Sequence, residues 1–326
     1  MTSTIEAAIG AAIAAIEARG KPANVYFVAL GGSFSQMNAA KYAMEREAKT
    51  IAADAYSSAE FIARNSPRLG SSSVVVLCSK SGDTPETVAA ARHAKEKGAY
   101  TIGLTIKGDS PLAQAVDTRV DYDATPDAGS ADIPSAIVLR IAFGILAAFE
   151  ANPKLSALNE GLAKLPGVVA AEHAKHRQAT LDWAQQRKRE PVMYTMASGS
   201  NYGVAYLWAC CILQEMQWIH SQAIHSGEYF HGPFEITDSD IPFVVLKGLG
   251  NCRQMDQRAV NFAGKFSEKV LELDAQDFDF EGIDEGVREY LTPFVFLPLL
   301  RTYAVALSEA RGHPLTVRRY MWKMDY

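Results

Sequence analysis

The stretch that decides the fold is Ser73-Val74-Val75-Val76-Leu77-Cys78-Ser79, followed directly by Lys80-Ser81-Gly82-Asp83-Thr84-Pro85-Glu86. The first part carries the strongest strand signal in the chain, because its apolar residues run without alternation, as in strands buried on both faces of a sheet. The second part is rich in hydroxyls, and proline is well suited to the first turn of a helix. Together they predict a strand, a polar loop and a helix that reaches Lys97.

The same alternation of strand and helix extends in both directions from this unit. Further strands are predicted at 24–30, 50–56 and 100–105, and in the second half at 191–197, 241–246 and 269–273. Helices are predicted at 5–19, 36–49, 57–62, 133–150, 155–187 and 253–266, with another that ends near 217. This alternation predicts an α/β fold with doubly wound, mainly parallel sheets of the flavodoxin-like kind, flanked by helices.

The two halves of the chain look like copies of one unit. Val25-Tyr26-Phe27 through Ser33 aligns with Val192-Met193-Tyr194 through Ser200 at an offset of 167 residues, from Ser33 to Ser200. Residues 58–61 (Ser-Ala-Glu-Phe) align with residues 226–229 (Ser-Gly-Glu-Tyr) at an offset of 168. A repeat of this length predicts a domain duplication, and the alternative is chance similarity between two generic strand–loop–helix patterns. We expect an N-terminal helix at 1–21, a first domain at 22–152 and a second at 153–326.

Composition limits the partners of the chain. It has 326 residues, a formal net charge of −5 and four cysteines. An acidic chain is a poor match for a nucleic-acid backbone, and cysteines without a C-x-x-C pair favour a reducing, cytoplasmic compartment. The apolar runs at 136–149 and 291–307 are interrupted by arginine or proline, so we expect buried helices rather than membrane spans. The expected partner is a small molecule, with neither nucleic acid nor membrane.

Two polar loops in the first half follow strands and lead into helices. Their candidate ligands for a phosphate are Gly32, Ser33 and Ser35 in the first loop and Ser79, Lys80, Ser81 and Thr84 in the second. Ligands of open α/β sheets bind outside the carboxyl ends of strands, and N–H groups at a helix N-terminus favour anions. Neither a G-x-G-x-x-G nor a Walker A motif occurs, so a small phosphorylated ligand is favoured over a nucleotide. The alternative is that these hydroxyls only cap helices.

A second group of candidates lies in Glu215-Met216-Gln217-Trp218-Ile219-His220 and in His225-Ser226-Gly227-Glu228-Tyr229-Phe230-His231-Gly232-Pro233-Phe234-Glu235. Carboxylates and imidazoles are the side chains that transfer protons near neutral pH. A metal site is the alternative, formed by His220, His225, Glu228 and His231. Their spacing matches neither H-E-x-x-H nor a zinc-finger pattern, so we expect no metal.

The strand followed by S-x-S-G-x-T, the preceding Gly-Gly-Ser loop and the duplication are together similar to the sugar isomerase (SIS) domain family, over residues 22–326. The resemblance implies two tandem SIS domains, of which the first grips the phosphate of a sugar phosphate. Ser79, Ser81 and Thr84 match the family's phosphate loop, and Ser33 matches the serine of its first loop. Lys80 stands where many members have glutamine.

The acid–histidine stretches, together with the tail from His313 to Lys323, are very similar to the fructosamine-6-phosphate deglycases of this family. The resemblance implies a substrate in which an amino acid is joined through nitrogen to C1 of fructose 6-phosphate. Glu215 would move a proton between C1 and C2, and His231, supplied by the neighbouring subunit of a homodimer, would assist ring opening. The products would be glucose 6-phosphate and the free amino acid, and neither a redox cofactor nor a metal is needed. From the residues alone, Glu215 could instead be a structural acid paired with a cation, and His231 a helix-capping or surface histidine.

Two other functions stay open. Isomerase members have a lysine three residues before the catalytic glutamate, where this chain has Ile212, which disfavours aldose–ketose isomerisation of a hexosamine 6-phosphate. A sugar-phosphate sensor would carry a helix-turn-helix domain in front, whereas only about 23 residues precede the first strand. Arg319, with Arg318 and Lys323, could bind a carboxylate of the substrate or could belong to a solvated tail.

Overall fold

A computed structural model describes residues 2–123 and 129–325 of the chain. The chain forms two compact units. The first comprises Met1–Lys164 with Ile283–Tyr290, and the second comprises Leu165–Gly282 with Leu291–Tyr326.

The first unit contains a five-stranded parallel sheet. Its elements are α1 (Thr2–Arg19), β1 (Asn24–Ala29), α2 (Gly31–Glu47), β2 (Ala52–Ser57), α3 (Ser58–Arg64), β3 (Ser73–Cys78), α4 (Pro85–Glu96), β4 (Tyr100–Thr105), α5 (Pro111–Ala115), β5 (Thr118–Asp121) and α6 (Pro134–Glu150). The strand order is β2-β1-β3-β4-β5, and every neighbouring pair is parallel. Helix α7 (Leu155–Arg187) begins in this unit and ends in the second.

The second unit contains a four-stranded parallel sheet in the order β7-β6-β8-β9. Its elements are β6 (Val192–Ala197), α8 (Tyr202–Tyr206), a π-helical segment (Leu207–Gln214), α9 (Glu215–Gln217), β7 (His220–His225), β8 (Phe243–Lys247), α10 (Arg253–Phe266) and β9 (Val270–Asp274). The chain continues with α11 (Glu285–Leu291), most of which belongs to the first unit, and ends with α12 (Pro293–Arg311) in the second.

The two sheets pair their strands in the same register. Tyr26 of β1 lies opposite Val75 of β3, and Tyr194 of β6 lies opposite Phe243 of β8. Both partners are shifted by 168 residues, from Tyr26 to Tyr194 and from Val75 to Phe243. The pairing of β6 with β7 is shifted from that of β1 with β2 by the same number. In each sheet the first strand therefore lies between the second and the third.

Burial explains why the central strands form. All residues of β1, β3 and β4 are buried, which is why these strands lack polar alternation. Helices α3, α4 and α5 pack on one face of the first sheet around Phe61, Leu77 and Leu112, while α1, α2 and α6 pack together on the other side of the unit. In the second unit, Tyr229 and Phe243 are central to an aromatic-rich core. The predicted α/β class with helix-flanked parallel sheets is confirmed.

One helical segment in the described part of the chain, Glu285–Arg311, is long and apolar enough to cross a membrane by length and composition. Within its most apolar window, 72% is buried inside the protein, as is typical of a core helix. The buried helix predicted at 291–307 is confirmed.

Several features differ from the sequence prediction. Residues 31–35, predicted as a loop, form the first turn of α2. Strands β5 and β7 were not predicted, because both lie at sheet edges, where half-exposed strands do not need an apolar run. The helix predicted to end near 217 contains a π-helical segment at Leu207–Gln214.

Candidate active site

The crevice of the first sheet lies between the carboxyl ends of β1 and β3. The chain leaves β1 for β2 on one side and returns to β3 on the other, which makes this the switch point where open α/β sheets bind ligands. Ala29 is paired with Cys78 at this end of the sheet. The segments that follow, residues 30–35 and 79–84, therefore leave the sheet side by side. The structure brings together the two segments predicted to bind a phosphate.

The N-terminus of α2 forms one wall of this crevice. Gly31 begins the helix with φ of +54°, a left-handed conformation that favours glycine. Leu30 precedes it without a side-chain capping bond, and the N–H of Phe34 donates to the Leu30 carbonyl at 3.2 Å. The N–H groups of Gly31, Gly32 and Ser33 precede the first bonded amide of the helix. Such N–H groups, at the positive end of the helix dipole, attract an anion.

The loop after β3 forms the other wall. The hydroxyls of Ser79 and Thr84 lie 2.8 Å apart, and the N–H of Gly82 donates to Oγ of Ser79 at 3.1 Å. Gly82 has φ of +73°, and a Cβ atom there would lie 2.1 Å from Oγ of Ser110. Thr84 is the N-cap residue of α4, but its side chain makes no capping bond. Its hydroxyl is therefore hydrogen-bonded within the loop and does not cap α4.

The remaining hydroxyls and the lysine of these two segments have different surroundings. Ser81 donates to the carboxylate of Asp83, and Lys80 is exposed. Ser35 is buried and donates to the carbonyl of Gly32 at 2.6 Å, within the first turn of α2. Its hydroxyl proton is therefore already used inside the helix.

Ser33 faces the end of β3. Burial raises the pKa of the Cys78 thiol to about 11, while the hydroxyls of Ser33 and Tyr122 beside the sulfur oppose the rise. The thiol is therefore protonated at neutral pH. These contacts join the start of α2 to the strand that precedes the second loop.

The corresponding crevice of the second sheet, between β6 and β8, holds a carboxylate of the chain itself. Asp256 is fully buried, and it accepts hydrogen bonds from Oγ of Ser198 at 2.7 Å and from the N–H of Gly248 at 3.1 Å. Ser198 follows β6 and Gly248 follows β8, so both strand ends contribute a donor. Burial raises the pKa of Asp256, and the nearby hydroxyls of Ser226 and Ser198 with the N–H of Gly248 oppose the rise.

Glu215 follows the π-helical segment Leu207–Gln214. π-Helical bonds join residue i to i+5, so each turn holds more residues than a turn of α-helix. The side chain of Glu215 therefore points in a different direction from the one it would have in a continuous α-helix. Trp218 ends the helix with φ of +56°. Positive φ is uncommon for a residue with a large side chain, which marks this turn as constrained by its surroundings.

Glu215 lines a cavity of about 700 Å³ in the second unit. The other lining residues include Trp218, His220, Arg318, Arg319 and Tyr320. The guanidinium of Arg319 lies 4.3 Å from the centre of the Trp218 ring. The cavity thus combines an acid, an imidazole, two guanidinium groups and aromatic faces.

Arg318 holds the carboxylate of Glu215. Its Nη2 lies 2.7 Å from Oε1 of Glu215, and the side chains are 8% and 25% exposed, respectively. Glu215 is therefore both a cation-paired acid, which was the structural alternative, and a residue that lines a cavity. The sequence alone does not indicate Arg318 as the partner, because no local pattern connects positions 215 and 318.

His231 lies apart from this cavity. It is exposed and occupies a turn in which its N–H donates to the carbonyl of Glu228 at 2.9 Å. Gly232 follows with φ of +127°, and Pro233 begins a 3₁₀ turn. In the described part of the second unit, His231 is not among the residues that line the Glu215 cavity.

The other histidines of this stretch have separate surroundings. His220 lines the cavity, whereas Nδ1 of His225 accepts from the N–H of Gly227 at 3.1 Å and its ring lies 5.3 Å from that of Tyr202. Across residues 2–123 and 129–325, no group of three or more His, Cys, Asp or Glu side chains is arranged to hold a metal ion.

Comparison with known proteins agrees with the geometry of the first crevice. Residues 20–148 match the SIS domain family. The fructosamine deglycase FrlB of Bacillus subtilis (strain 168) is 48% identical over 303 residues, which cover 93% of this chain and 92% of that protein. The fructoselysine 6-phosphate deglycase of Escherichia coli (strain K12) is 26% identical over 296 residues, with coverage of 91% and 84%.

A solved structure gives the same result. A Bacillus subtilis crystal structure, provisionally assigned as a phosphosugar isomerase, matches with a TM-score of 0.95 and 45% identity over 100% of both chains. The chain therefore belongs to the SIS domain family. Within that family it groups with the fructosamine deglycases, as the sequence motifs predicted.

Proposed function

We propose that this protein is a fructosamine-6-phosphate deglycase, a hydrolase that cleaves the C–N bond of a 6-phosphofructosyl amino acid. The products are glucose 6-phosphate and the free amino acid. The observation that carries the proposal is a carboxylate, Glu215, held at the wall of a 700 Å³ cavity in a chain 48% identical to a fructosamine deglycase.

The sugar phosphate binds in the crevice between β1 and β3. The N–H groups of Gly32 and Ser33 and the hydroxyls of Ser79, Ser81 and Thr84 contact the phosphate, and the ammonium of exposed Lys80 balances its charge. Ser35 contributes by fixing the first turn of α2 through its bond to Gly32. Free N–H groups at a helix N-terminus beside a hydroxyl-rich loop support this role.

The two units are tandem SIS domains that arose by duplication. The shared strand order and the 168-residue shift in register support this origin. Only the first domain binds phosphate, because the buried carboxylate of Asp256 lies between the strand ends of the second.

The reaction is proton transfer followed by hydrolysis. With the ring open, Glu215 removes a proton from C1, the electron pair forms a C1–C2 double bond, and the C2 oxygen takes a proton from solvent to give an enaminol. Return of the proton from Glu215 to C2 gives a protonated imine between C1 and nitrogen. Water adds to C1, the C1–N bond breaks, and the amino acid leaves with a proton on its nitrogen. The chemistry uses no redox cofactor and no metal.

His231 assists ring opening from the neighbouring subunit of a homodimer. Its exposure in a turn fixed by Gly232 and Pro233 supports a role at a surface shared with a second chain. The setting is cytoplasmic, where sugar phosphates and reduced thiols are both found.

Arg319 binds a carboxylate of the amino acid. Its guanidinium is stacked on Trp218 in the Glu215 cavity, and no carboxylate in the described part of the second unit forms an ion pair with it. A planar guanidinium that is oriented but unpaired is suited to a substrate carboxylate.

Substitution of the base tests the function. Glu215→Gln keeps an acceptor for Arg318 but cannot take a proton, so we expect kcat to fall by about 10²–10⁴-fold. Release of glucose 6-phosphate is measured with 6-phosphofructosyl adducts of Asp, Lys, Gln and Glu, and with glucosamine 6-phosphate for comparison. Circular dichroism verifies that the variant is folded.

The matched control is Glu228→Gln, which neutralises an exposed carboxylate outside the cavity lining and should keep wild-type turnover. Near-normal turnover by Glu215→Gln would contradict the assignment of Glu215 as the base. Failure of the wild-type protein to release glucose 6-phosphate from any adduct would contradict the proposed function.

A further inference from the structure

Among the described residues of the tail, which begins at His313, Arg318 is the one charged side chain that is buried. Its side chain is 8% exposed, although it lies in a segment without regular helix or strand. A guanidinium stays protonated under all physiological conditions, and burial of an unpaired cation is costly. Its position therefore requires a carboxylate, and that carboxylate is Glu215.

The guanidinium is held from several sides. Nη1 donates to the carbonyls of Leu315 at 2.8 Å and Val317 at 2.9 Å, and the group lies 5.4 Å from the centre of the Trp322 ring. Nη2 is directed at Oε1 of Glu215. One nitrogen thus fixes the fold of the tail while the other fixes the acid.

The two oxygens of Glu215 are therefore not equivalent. Oε1 is in contact with Arg318, whereas Oε2 makes no hydrogen bond within the part of the second unit that the structure describes. A carboxylate whose orientation is set through one oxygen can present the other to a substrate proton without losing rotamer freedom during the reaction. The geometry separates the positioning oxygen from the reacting oxygen.

We propose that Arg318 is a positioning residue that orients Glu215 through Oε1, leaving Oε2 to abstract the proton at C1. The proposal rests on the proposed function of Glu215 as the base. It also gives the tail a role, because the folded turn at residues 315–322 keeps the guanidinium beside the acid.

Other charged or titratable groups also face Glu215. They are Arg319 and Tyr320 from the tail, His220 from β7 and Cys211 from the helix that carries the acid. Arg318 is the one in direct contact. Loss of Arg318 should therefore affect the position of the base more than loss of any other of these groups.

The test is the separation of kcat from KM in three variants. For Arg318→Met we expect kcat to fall by up to about 10²-fold from misplacement of the base, with little change in KM. Arg318→Lys keeps the charge but not the planar fork, so its kcat should stay reduced, again with little change in KM.

Arg319→Met is the matched control, because it removes the neighbouring guanidinium in the same cavity. It should raise KM with little change in kcat. A wild-type kcat in Arg318→Met would overturn the proposal, as would an equal loss of kcat in Arg319→Met. If Arg318→Met does not fold, Arg318→Lys decides: wild-type kcat in that variant contradicts a positioning role. An inactive wild-type protein contradicts the proposed function, whereas an active wild type with unaffected Arg318 variants contradicts only this inference.

Discussion

At the scale of single residues, the structure combines the two alternatives that the sequence left open for Glu215. It is paired with a cation, as a structural acid would be, and it also lines a cavity. The two are compatible because Arg318 contacts only one carboxylate oxygen. Arg319, the next residue, has no such partner among the described residues, and its guanidinium is stacked on Trp218. Adjacent arginines in one tail thus have different surroundings, and we assign them different roles.

The assignment of Arg319 leads to a prediction about substrates. For Arg319→Gln we expect kcat/KM to fall by about 10- to 100-fold with 6-phosphofructosylglycine, because a hydrogen bond to a charged group contributes about 1.5–3 kcal/mol. With the methylamine adduct, which lacks the carboxylate, the same variant should differ little from the wild type. Initial rates of glucose 6-phosphate release measure both.

Lys323→Gln is the matched control, since it removes an exposed cation of the same tail that does not line the cavity. It should leave both substrates unaffected. An equal loss with both substrates in Arg319→Gln would show that the guanidinium does not recognise the carboxylate.

At the scale of elements, the strand order explains why the two segments proposed to bind phosphate lie together. The segments after β1 and β3 are almost fifty residues apart in sequence, but these strands are neighbours because β2 and β4 lie on opposite sides of them. The N-terminus of α2 and the loop before α4 then face one crevice. Gly31 sets the direction of the α2 N-terminus, because its left-handed φ lets the helix begin directly after β1.

Gly31 and Gly32 form a matched pair for testing this helix start. Neither would place a Cβ within 4 Å of another atom, but only Gly31 has a positive φ, at +54°. We expect Gly31→Ala to lower the free energy of unfolding by about 1 kcal/mol and to raise KM for the phosphorylated substrate. Gly32→Ala should be neutral or slightly stabilising, because alanine favours the helix.

Chemical denaturation gives the two stabilities, and steady-state kinetics gives KM. Equal effects of the two substitutions would show that the backbone conformation at Gly31 does not direct the helix end.

At the scale of the whole molecule, the two sheets share one strand order, but their crevices contain different groups. Each sheet has its first strand between the second and third, but the first crevice is lined by free N–H groups and hydroxyls. The second is filled by Asp256, which accepts from Ser198 and Gly248. An internal carboxylate satisfies the donors that a phosphate would otherwise bind.

The proposed exchange of His231 between subunits predicts complementation. Homodimers of Glu215→Gln and of His231→Ala should both be nearly inactive. An isolated mixed dimer contains one site with both wild-type side chains, so about half of the wild-type activity should return. Differently tagged chains allow the mixed dimer to be purified and assayed. A mixed dimer as inactive as its parents would place both side chains in the same subunit's site.

The sequence by itself was sufficient for the central elements and for the family. Apolar runs such as residues 73–78 must be buried on both faces, and the S-x-S-G-x-T loop and the acid–histidine stretch are local patterns that can be recognised without a structure. Strands β5 and β7 were missed for a related reason: at a sheet edge, hydrogen bonding to one neighbour forms the strand, and no apolar run marks it.

Only the tertiary structure decided which side chains form hydrogen bonds or ion pairs, and with which partners. Ser35 and Ser79 are both serines at helix or loop starts, yet one donates within its own helix and the other supports the Gly82 turn. Arg318 and Glu215 meet only because the tail folds back on the helix that ends at Gln217. Such pairings depend on contacts between residues distant in the chain, where packing and charge neutralisation select one partner among many. Local sequence carries no record of that choice.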